Sequence, residues 1–235
     1  MVNKDYKSQV TVIRKKIDEP KARQIVEEKK TSLFRSLLKK PAKEEVHTHS
    51  LNLNYEAVLM ISGRYVADFY RKAIHPIKVD HNVTEVVLGE GVFPIRTKSR
   101  LKKAFTGKKG KNKVDLELEE HVFIDNECTL FFDQHGSQTK LPLKLDPKNM
   151  ENYPTKILQN NEFVIKKPEL AHKDAIGKLE VELKKPVGSN ARNLNEKITI
   201  NEISEIYIPI YEARLIGPKK KVEILRIDAA KNKIL

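Results

Sequence analysis

The sequence predicts an α+β fold in which a mostly antiparallel sheet or small barrel is built from two similar hairpins. Apolar and polar residues alternate through most of 51–61, which is the period of a β-strand. Apolar residues recur at helical spacing over 22–37 and again over 170–183. We therefore expect an N-terminal helix at 20–40 and a second helix near 168–185, with strands between them.

The first 50 residues are predicted to form a helical, basic N-terminal arm. Gln9–Ile17 alternates weakly, which favours a strand. Asp18-Glu19-Pro20 predicts the start of the helix, because Asp is a good N-cap residue and Pro is tolerated in the first turn. Pro41 predicts its end, since Pro cannot continue a helix.

Residues 51–235 are predicted to form a single α+β domain. A basic loop at 96–113 is inserted in it, and a C-terminal hairpin at 206–235 completes its sheet. A turn or short helix is expected at Tyr65–Lys72, and a short helical piece after Asp146. Further strands are expected at Ile77–Val79, Val83–Leu88, Val92–Ile95, Val114–Leu118, His121–Ile124, Thr129–Phe132 and Lys140–Leu145.

An imperfect internal repeat suggests how the sheet is built. Tyr55-Glu56-Ala57-Val58-Leu59 and Tyr211-Glu212-Ala213-Arg214-Leu215 match at four of five positions. Downstream, Ile77-Lys78-Val79-Asp80 resembles Leu225-Arg226-Ile227-Asp228. Each copy predicts a strand, a turn, a return strand and an Asp that caps the next turn with its side chain. Two such hairpins would pair across a pseudo-twofold axis; the alternative is a chance similarity between hairpins.

The C-terminal hairpin is predicted to join Ile206–Leu215 to Lys221–Ile227 through a turn at Gly217-Pro218-Lys219-Lys220. Pro209 predicts that the first of these strands is an edge or bulged strand, because Pro cannot donate a ladder hydrogen bond. The Tyr207-Ile208-Pro209-Ile210-Tyr211 strand and the Ile-Asp-Ala sequence after it resemble a recurring element of uncharacterised archaeal proteins. The resemblance covers about the last 30 residues and, less closely, 51–95. It implies an archaeal cytosolic protein and supplies no activity and no catalytic residue.

Length and composition indicate a folded protein of a reducing compartment. Of the 235 residues, 39% are apolar and 33% charged, and the apolar residues come in periodic blocks that favour a folded domain over disorder. Cys128 is the single cysteine, so no internal disulfide can form. The N-terminus lacks the apolar run of a secretory signal, and no window of 18 residues is uninterruptedly apolar. We expect a cytoplasmic protein without a transmembrane segment.

Residues 96–113 carry most of the excess positive charge. Nine of these 18 residues are Lys or Arg and none is acidic, whereas the formal net charge of the whole chain is +13. Lys and Arg that neutralise phosphates release condensed counterions, which favours nucleic-acid binding. Phe105 adds one ring for base stacking. The predicted contacts are Arg96, Lys98, Arg100, Lys102, Lys103, Phe105, Lys108, Lys109, Lys111 and Lys113, with Lys219, Lys220 and Lys221 at the tip of the C-terminal hairpin as a second contact.

We expect a non-enzymatic protein that binds DNA or RNA with little sequence preference, mainly through phosphates. The alternatives are a solvated loop without a ligand, an anionic membrane surface, and a scaffold protein. A scaffold would dock a protein partner or a second copy through paired hairpins and the edge strand near Pro209. Residues 114–165 hold ten acidic and four basic side chains, so the basic loop is either neutralised within the fold or leaves one face cationic.

Candidate catalytic and metal-binding residues are few. Cys128 and His135 lie close in the sequence, but Cys128 begins an apolar strand, where cysteine is usually inert. Asp125, Glu127 and Asp133 match no known cation-loop spacing. We therefore expect no enzymatic activity, no cofactor and no metal site.

Overall fold

The computed structural model describes residues 2–3, 6–35, 41–95, 112–141, 145–184, 186–188 and 190–235. Its strands are β1 (Val2–Asn3), β2 (Lys7–Val12), β3 (His47–Val79), β4 (Glu85–Leu88), β5 (Gly91–Pro94), β6 (Asn112–Phe132), β7 (Gln138–Thr139), β8 (Val164–Lys166), β9 (Ala191–Ile216), β10 (Val222–Asp228) and β11 (Lys233–Ile234). The described α-helices are α1 (Glu19–Lys29), α2 (Pro154–Leu158) and α3 (His172–Leu183). Short 3₁₀ turns lie at Lys30–Phe34, Lys43–Glu45, Pro147–Asn149 and Pro218–Lys220.

Nine of the described strands form one sheet. Its main path has the order β11-β10-β9-β3-β6-β7, while β1 and β2 pair in parallel with β9, and β8 pairs in parallel with β3. β4 and β5 form a separate antiparallel hairpin. The helices and the mostly antiparallel sheet confirm the predicted α+β class. The order of the described strands is open, with β7 and β11 at its ends, so the barrel alternative is wrong for this part of the chain.

Two compact units divide the chain. The first comprises Met1–Arg64, Glu127–Lys184 and Ile198–Leu235, and the second comprises Tyr65–Asn126 and Lys185–Lys197. β3, β6 and β9 each contribute residues to both units. The predicted domain boundary near residue 50 stays a prediction. Strand β2, which belongs to the predicted N-terminal arm, is hydrogen-bonded to β9 along its whole length.

Alternate positions of β3 supply much of the core of the first unit. The odd-numbered side chains Tyr55, Ala57, Leu59 and Ile61 are all buried, as the period of two predicted. Two helices contribute buried residues at helical spacing, namely Ala22 and Val26 from α1 and Ala175, Leu179 and Leu183 from α3. Burial of these stripes, rather than helix propensity, is what holds short helices in place.

α1 begins where the sequence predicted and ends earlier. The carboxylate of Asp18 accepts a hydrogen bond from the backbone N–H of Lys21 at 3.0 Å, which is the predicted N-cap. The α-helix ends at Lys29, and a 3₁₀ turn follows it. The predicted continuation over 36–40 lies outside the described residues.

α3 begins at His172 rather than at Pro168. The backbone N–H of Glu169 donates to the carbonyl of Gln134 at 2.8 Å, so this segment is bound to a neighbouring turn before the helix starts. The predicted helix near 168–185 is therefore present but shorter.

β3 and β6 are far longer than predicted. The turn expected at Tyr65–Lys72 is wrong, since β3 continues through those residues to Val79. Tyr65, Ala67 and Phe69 continue its buried odd-numbered positions, so the alternation that predicted the strand extends further than expected. β6 likewise runs as one strand through the three short strands predicted between 114 and 132.

One of the two predicted hairpins is present. β9 and β10 pair antiparallel around the predicted turn, with Ala213 opposite Leu225. The first copy is not a hairpin, because its expected return strand at 77–79 is the end of β3 itself. The two repeat strands nevertheless lie side by side, since β3 and β9 are neighbours in the sheet.

The aspartates that end each repeat cap a turn, as predicted. The Asp80 carboxylate accepts a hydrogen bond from the backbone N–H of Asn82 at 2.9 Å, and this bond holds the pKa of Asp80 below its ordinary value. The Asp228 carboxylate accepts bonds from the N–H groups of Ala230 and Lys231 at 2.9 and 3.0 Å. These bonds fix the chain reversals after β3 and β10.

The edge strand expected near Pro209 is an interior strand. β9 has β3 on one side, and on the other side β2 pairs with it as far as Tyr207 and β10 pairs with it from Ile210. Pro209 sits where the partner changes from one strand to the other, so its missing N–H interrupts neither ladder. Its carbonyl accepts a hydrogen bond from the N–H of Ala229 at 3.0 Å. The described strands around this position leave no open edge for a protein partner or a second copy.

Gly63 is expected to be essential for the packing of α3 on β3. A Cβ at this position would lie 2.8 Å from the carbonyl oxygen of Thr199 and 3.0 Å from Cδ2 of Leu179. We expect Gly63→Ala to lower the free energy of unfolding by about 1–3 kcal/mol, because backbone and helix must move apart. Urea denaturation followed by circular dichroism measures this change.

Gly177→Ala is the matched control in α3. A Cβ there meets nothing within 4 Å, and the position is exposed and helical. We expect it to raise the free energy of unfolding by about 1 kcal/mol, since Ala is the better helix former. If both substitutions changed the free energy of unfolding in the same direction, the close packing described at Gly63 would be contradicted.

Candidate nucleic-acid interface

Residues 96–111 hold nine of the thirteen predicted contact residues and lie outside the described residues. The chain on either side of them is held by described contacts. Ile95 and Val114 form an isolated antiparallel bridge. Nδ2 of Asn112 donates to the backbone carbonyl of His81 at 3.1 Å. The two ends of the basic segment are therefore joined at one place in the second unit.

Two glutamates of β6 are ion-paired with cations of β3 and β9 in the second unit. Oε1 of Glu117 lies 3.7 Å from Nζ of Lys72 on β3. Glu119 pairs with the guanidinium group of Arg192 on β9. Both glutamates are at odd-numbered positions and thus project from the same face of β6.

Glu120 projects from the opposite face of β6 and is bound twice by β3. Nε of Arg71 donates to one carboxylate oxygen at 2.8 Å, and Nε2 of His75 lies 2.7 Å from the other. The bond from Arg71, followed by the bond from His75, holds the pKa of Glu120 below its ordinary value. Glu120 therefore stays a carboxylate through the neutral pH range.

These pairs bear on whether the acidic residues after the basic segment neutralise it. The described partners of Glu117, Glu119 and Glu120 are side chains of β3 and β9. Their negative charge is matched within the sheet. Because cations of β3 and β9 already balance these three carboxylates, the pairs favour the cationic alternative.

The second predicted contact is the turn between β9 and β10, in the first unit. Lys219 and Lys220 are exposed there, both in the left-handed region with φ of 57° and 60°. Lys221 is engaged locally, because its Nζ lies 2.6 Å from a carboxylate oxygen of Glu223. Lys113, by contrast, is exposed on β6 in the second unit.

The candidate nucleophile and base are engaged in separate contacts. Burial, and then the charge of Glu182, raise the pKa of the Cys128 thiol, which lowers its thiolate fraction at neutral pH. Nδ1 of His135 lies 3.1 Å from Oε1 of Glu169. Asp133 accepts two backbone hydrogen bonds within its own turn. Among the residues that the structure describes, no three His, Cys, Asp or Glu side chains converge as metal ligands.

A four-residue charge cluster in the first unit was missed by the sequence analysis. Nζ of Lys166 on β8 donates to Glu56 on β3 at 3.0 Å and to Glu212 on β9 at 3.3 Å. Arg226 on β10 also donates to Glu56. Burial opposes the charge of Lys166, but the two glutamates outweigh it and raise the pKa of the ammonium group. The available signal was the repeat, since Glu56 and Glu212 hold the same place in its two copies.

This charge cluster borders a cleft of about 280 Å³ in the first unit. The other ionisable side chains that line the cleft include Asp133, His135 and Asp228. Both aspartates cap turns, and His135 contacts Glu169. These groups therefore contribute to local backbone geometry and charge pairing.

Comparisons with protein-family models, with curated proteins and with solved structures found no match for this chain. Among the described helices, none has the length and apolar character needed to span a bilayer. The function of this chain is therefore inferred from its own residues and their contacts.

Replacing Arg71 by Gln is expected to raise the pKa of Glu120 toward its ordinary value, because the bond that favours the carboxylate is lost. The folded-state pKa of Glu120 is lowered, so the pair stabilises the protein above about pH 4.5, and this stabilisation is lost as the pH falls through the folded-state pKa. An NMR titration of the Glu120 carboxyl carbon measures the shift. Arg192→Gln is the control, since Arg192 pairs with Glu119. An equal rise in both variants would contradict the described contacts.

Native Cys128 is expected to react slowly with a disulfide reagent such as DTNB at pH 8. Its raised thiol pKa leaves less thiolate, and only the thiolate attacks the reagent. We expect a rate at least about ten-fold below that of the urea-unfolded protein, measured by absorbance. Equal rates in the two states would show an accessible, activated thiol and revive the catalytic alternative.

Proposed function

We propose that this protein binds nucleic acid, DNA or RNA, without enzymatic activity and with little sequence preference. The basic segment 96–113 makes the contacts, mainly to phosphates. The observation that supports this best is the charge arrangement around β6. Eight cations lie in 96–111, while three glutamates of the adjoining strand are already paired with β3 and β9.

Phosphate binding is the function that this arrangement suits physically. A basic segment without internal acidic residues offers several point charges to a polyanion, and each phosphate contact releases counterions. Such contacts position a nucleic acid without reading its sequence. The chain on either side of the segment is held within the second unit by the Ile95–Val114 bridge and by Asn112.

The exposed Lys219 and Lys220 are proposed as a second, weaker contact, with Lys221 contributing less because Glu223 engages it.

We also propose that the protein resides in a reducing cytoplasm. The single cysteine supports this part, and the resemblance of the C-terminal strand supports an archaeal origin.

Neutralising four lysines of the basic segment tests the proposal. In the variant Lys102→Gln, Lys103→Gln, Lys108→Gln, Lys109→Gln, we expect weaker binding and a flatter salt dependence. If all four contact phosphates, the slope of log K against log salt falls by about 3–4, since each contact contributes about 0.7–0.9. Fluorescence anisotropy with a labelled 20-nucleotide strand at four salt concentrations measures the slope.

The control removes the same charge elsewhere. Lys148, Lys156, Lys173 and Lys233 are all exposed in the first unit, and their replacement by Gln gives an equal change in net charge. We expect a slope change of less than about 1, since these lysines are not proposed to contact phosphates. Equal effects of the two variants would show a general charge effect and reject the assigned segment. Absence of binding by the unmodified protein, with a protein partner bound instead, would favour a scaffold role.

A further inference from the structure

One face of the β3–β6 pair in the second unit carries three aromatic rings. The rings of Tyr70 on β3 and His121 on β6 are stacked, with centroids 4.5 Å apart and planes inclined by 10°. Phe123 lies two residues beyond His121 on β6 and so projects from the same face. Tyr70 is 39% exposed and Phe123 is 64% exposed, although large aromatic side chains are usually well buried.

The position of His121 is fixed by a carboxylate on the same face. Its Nε2 lies 2.6 Å from Oδ1 of Asp68, two residues before Tyr70 on β3. The His121 ring is thus held at its edge by a hydrogen bond and on its face by stacking with Tyr70. A fixed ring loses little conformational freedom when a flat ligand stacks near it.

Charged side chains interrupt the apolar surface of this face. Lys72 and Glu117, which pair at 3.7 Å, lie on it, as do Asp68 and Glu119, the latter paired with Arg192. The core of a protein–protein interface is depleted of charged residues, so this face is poorly suited to a protein partner. Separate rings among paired charges suit a ligand that brings its own flat rings and needs only one aromatic contact for each of them.

We propose that Tyr70, His121 and Phe123 form a stacking platform for the bases of a single-stranded nucleic acid. The inference rests on the proposed function and narrows its ligand class. Bases in a duplex are already stacked and face inward, so only unpaired bases can reach rings on a sheet face. The pairing of Lys72 with Glu117 and of Arg192 with Glu119 limits the repulsion that these carboxylates exert on nearby phosphates. The platform contributes base contacts in addition to the phosphate contacts of the basic segment.

The test compares three labelled ligands with the full-length chain by fluorescence anisotropy. They are a 20-nucleotide thymidine strand, an abasic strand with the same number of phosphates, and a 20-base-pair duplex. Phe123→Ala is expected to weaken binding of the thymidine strand about ten-fold and to change binding of the abasic strand less than about two-fold. Phe123→Tyr retains a ring and is expected to bind the thymidine strand as the unmodified protein does.

Tyr153→Ala is the matched control, because Tyr153 is 74% exposed and lies in the first unit. It is expected to leave all three affinities unchanged. Circular dichroism melting checks that the exposed Phe123 can be replaced without unfolding.

The possible outcomes separate the platform from the proposed function. If the unmodified protein binds none of the three ligands, the proposed function fails and the platform with it. Suppose instead that the unmodified protein binds all three ligands. If Phe123→Ala then weakens binding of the thymidine and abasic strands equally, or weakens binding of neither strand, only the platform is overturned. A change of oligomeric state in Phe123→Ala, with thymidine binding intact, would also overturn it and assign the face to a second copy.

Discussion

The pairing of β3 with β6 and β9 is the interaction on which the second unit and its candidate interface depend. Neighbouring strands lie about 4.8 Å apart, so the pairing of β3 with β6 brings Lys72 next to Glu117, whereas Arg192 on β9 reaches Glu119 on β6 across the intervening β3. An exposed cross-strand ion pair such as Glu117–Lys72 contributes only about 0.2–1 kcal/mol to stability. Its larger consequence is electrostatic, because Lys72 balances the charge of Glu117, one of the acidic side chains of β6, within the sheet.

The same two strands organise the first unit around the repeat. β3 and β9 lie side by side, and the equivalent glutamates of the two copies, Glu56 and Glu212, share the ammonium group of Lys166. Removing one member of a half-buried cluster would leave its partners desolvated and unpaired, which is the costly case for buried charges. On the outer side of β9, β2 and β10 meet end to end at Pro209, where a residue without an N–H fits. The charge cluster explains why a Glu occupies the same place in both copies of the repeat. The strand junction explains why a Pro is tolerated within β9.

Local patterns predicted the parts of the fold that depend on local physics. The Asp18 cap, the Asp228 turn, the alternation of β3 and the β9–β10 hairpin follow from side-chain chemistry and the period of two. The length of β3 was not predicted, because the charged side chains within 65–72 find their partners on a distant segment of the chain. Asp68, for example, contacts His121, which is 53 positions away in the sequence. The stacking of Tyr70 on His121 was missed for the same reason, since these rings meet only through pairing of distant segments.

Photocrosslinking is the sharpest test of whether the basic segment binds nucleic acid, because it locates the bound strand on the chain. A 20-nucleotide strand containing 4-thiothymidine would be irradiated with the full-length protein, and the peptides released by a Glu-specific protease identified by mass spectrometry. Cleavage after Glu90 and Glu117 isolates the basic segment on one peptide, 91–117. We expect this peptide to carry the main crosslink and excess unlabelled strand to abolish it. A main crosslink confined to peptides of the first unit, with 91–117 unmodified, would contradict it.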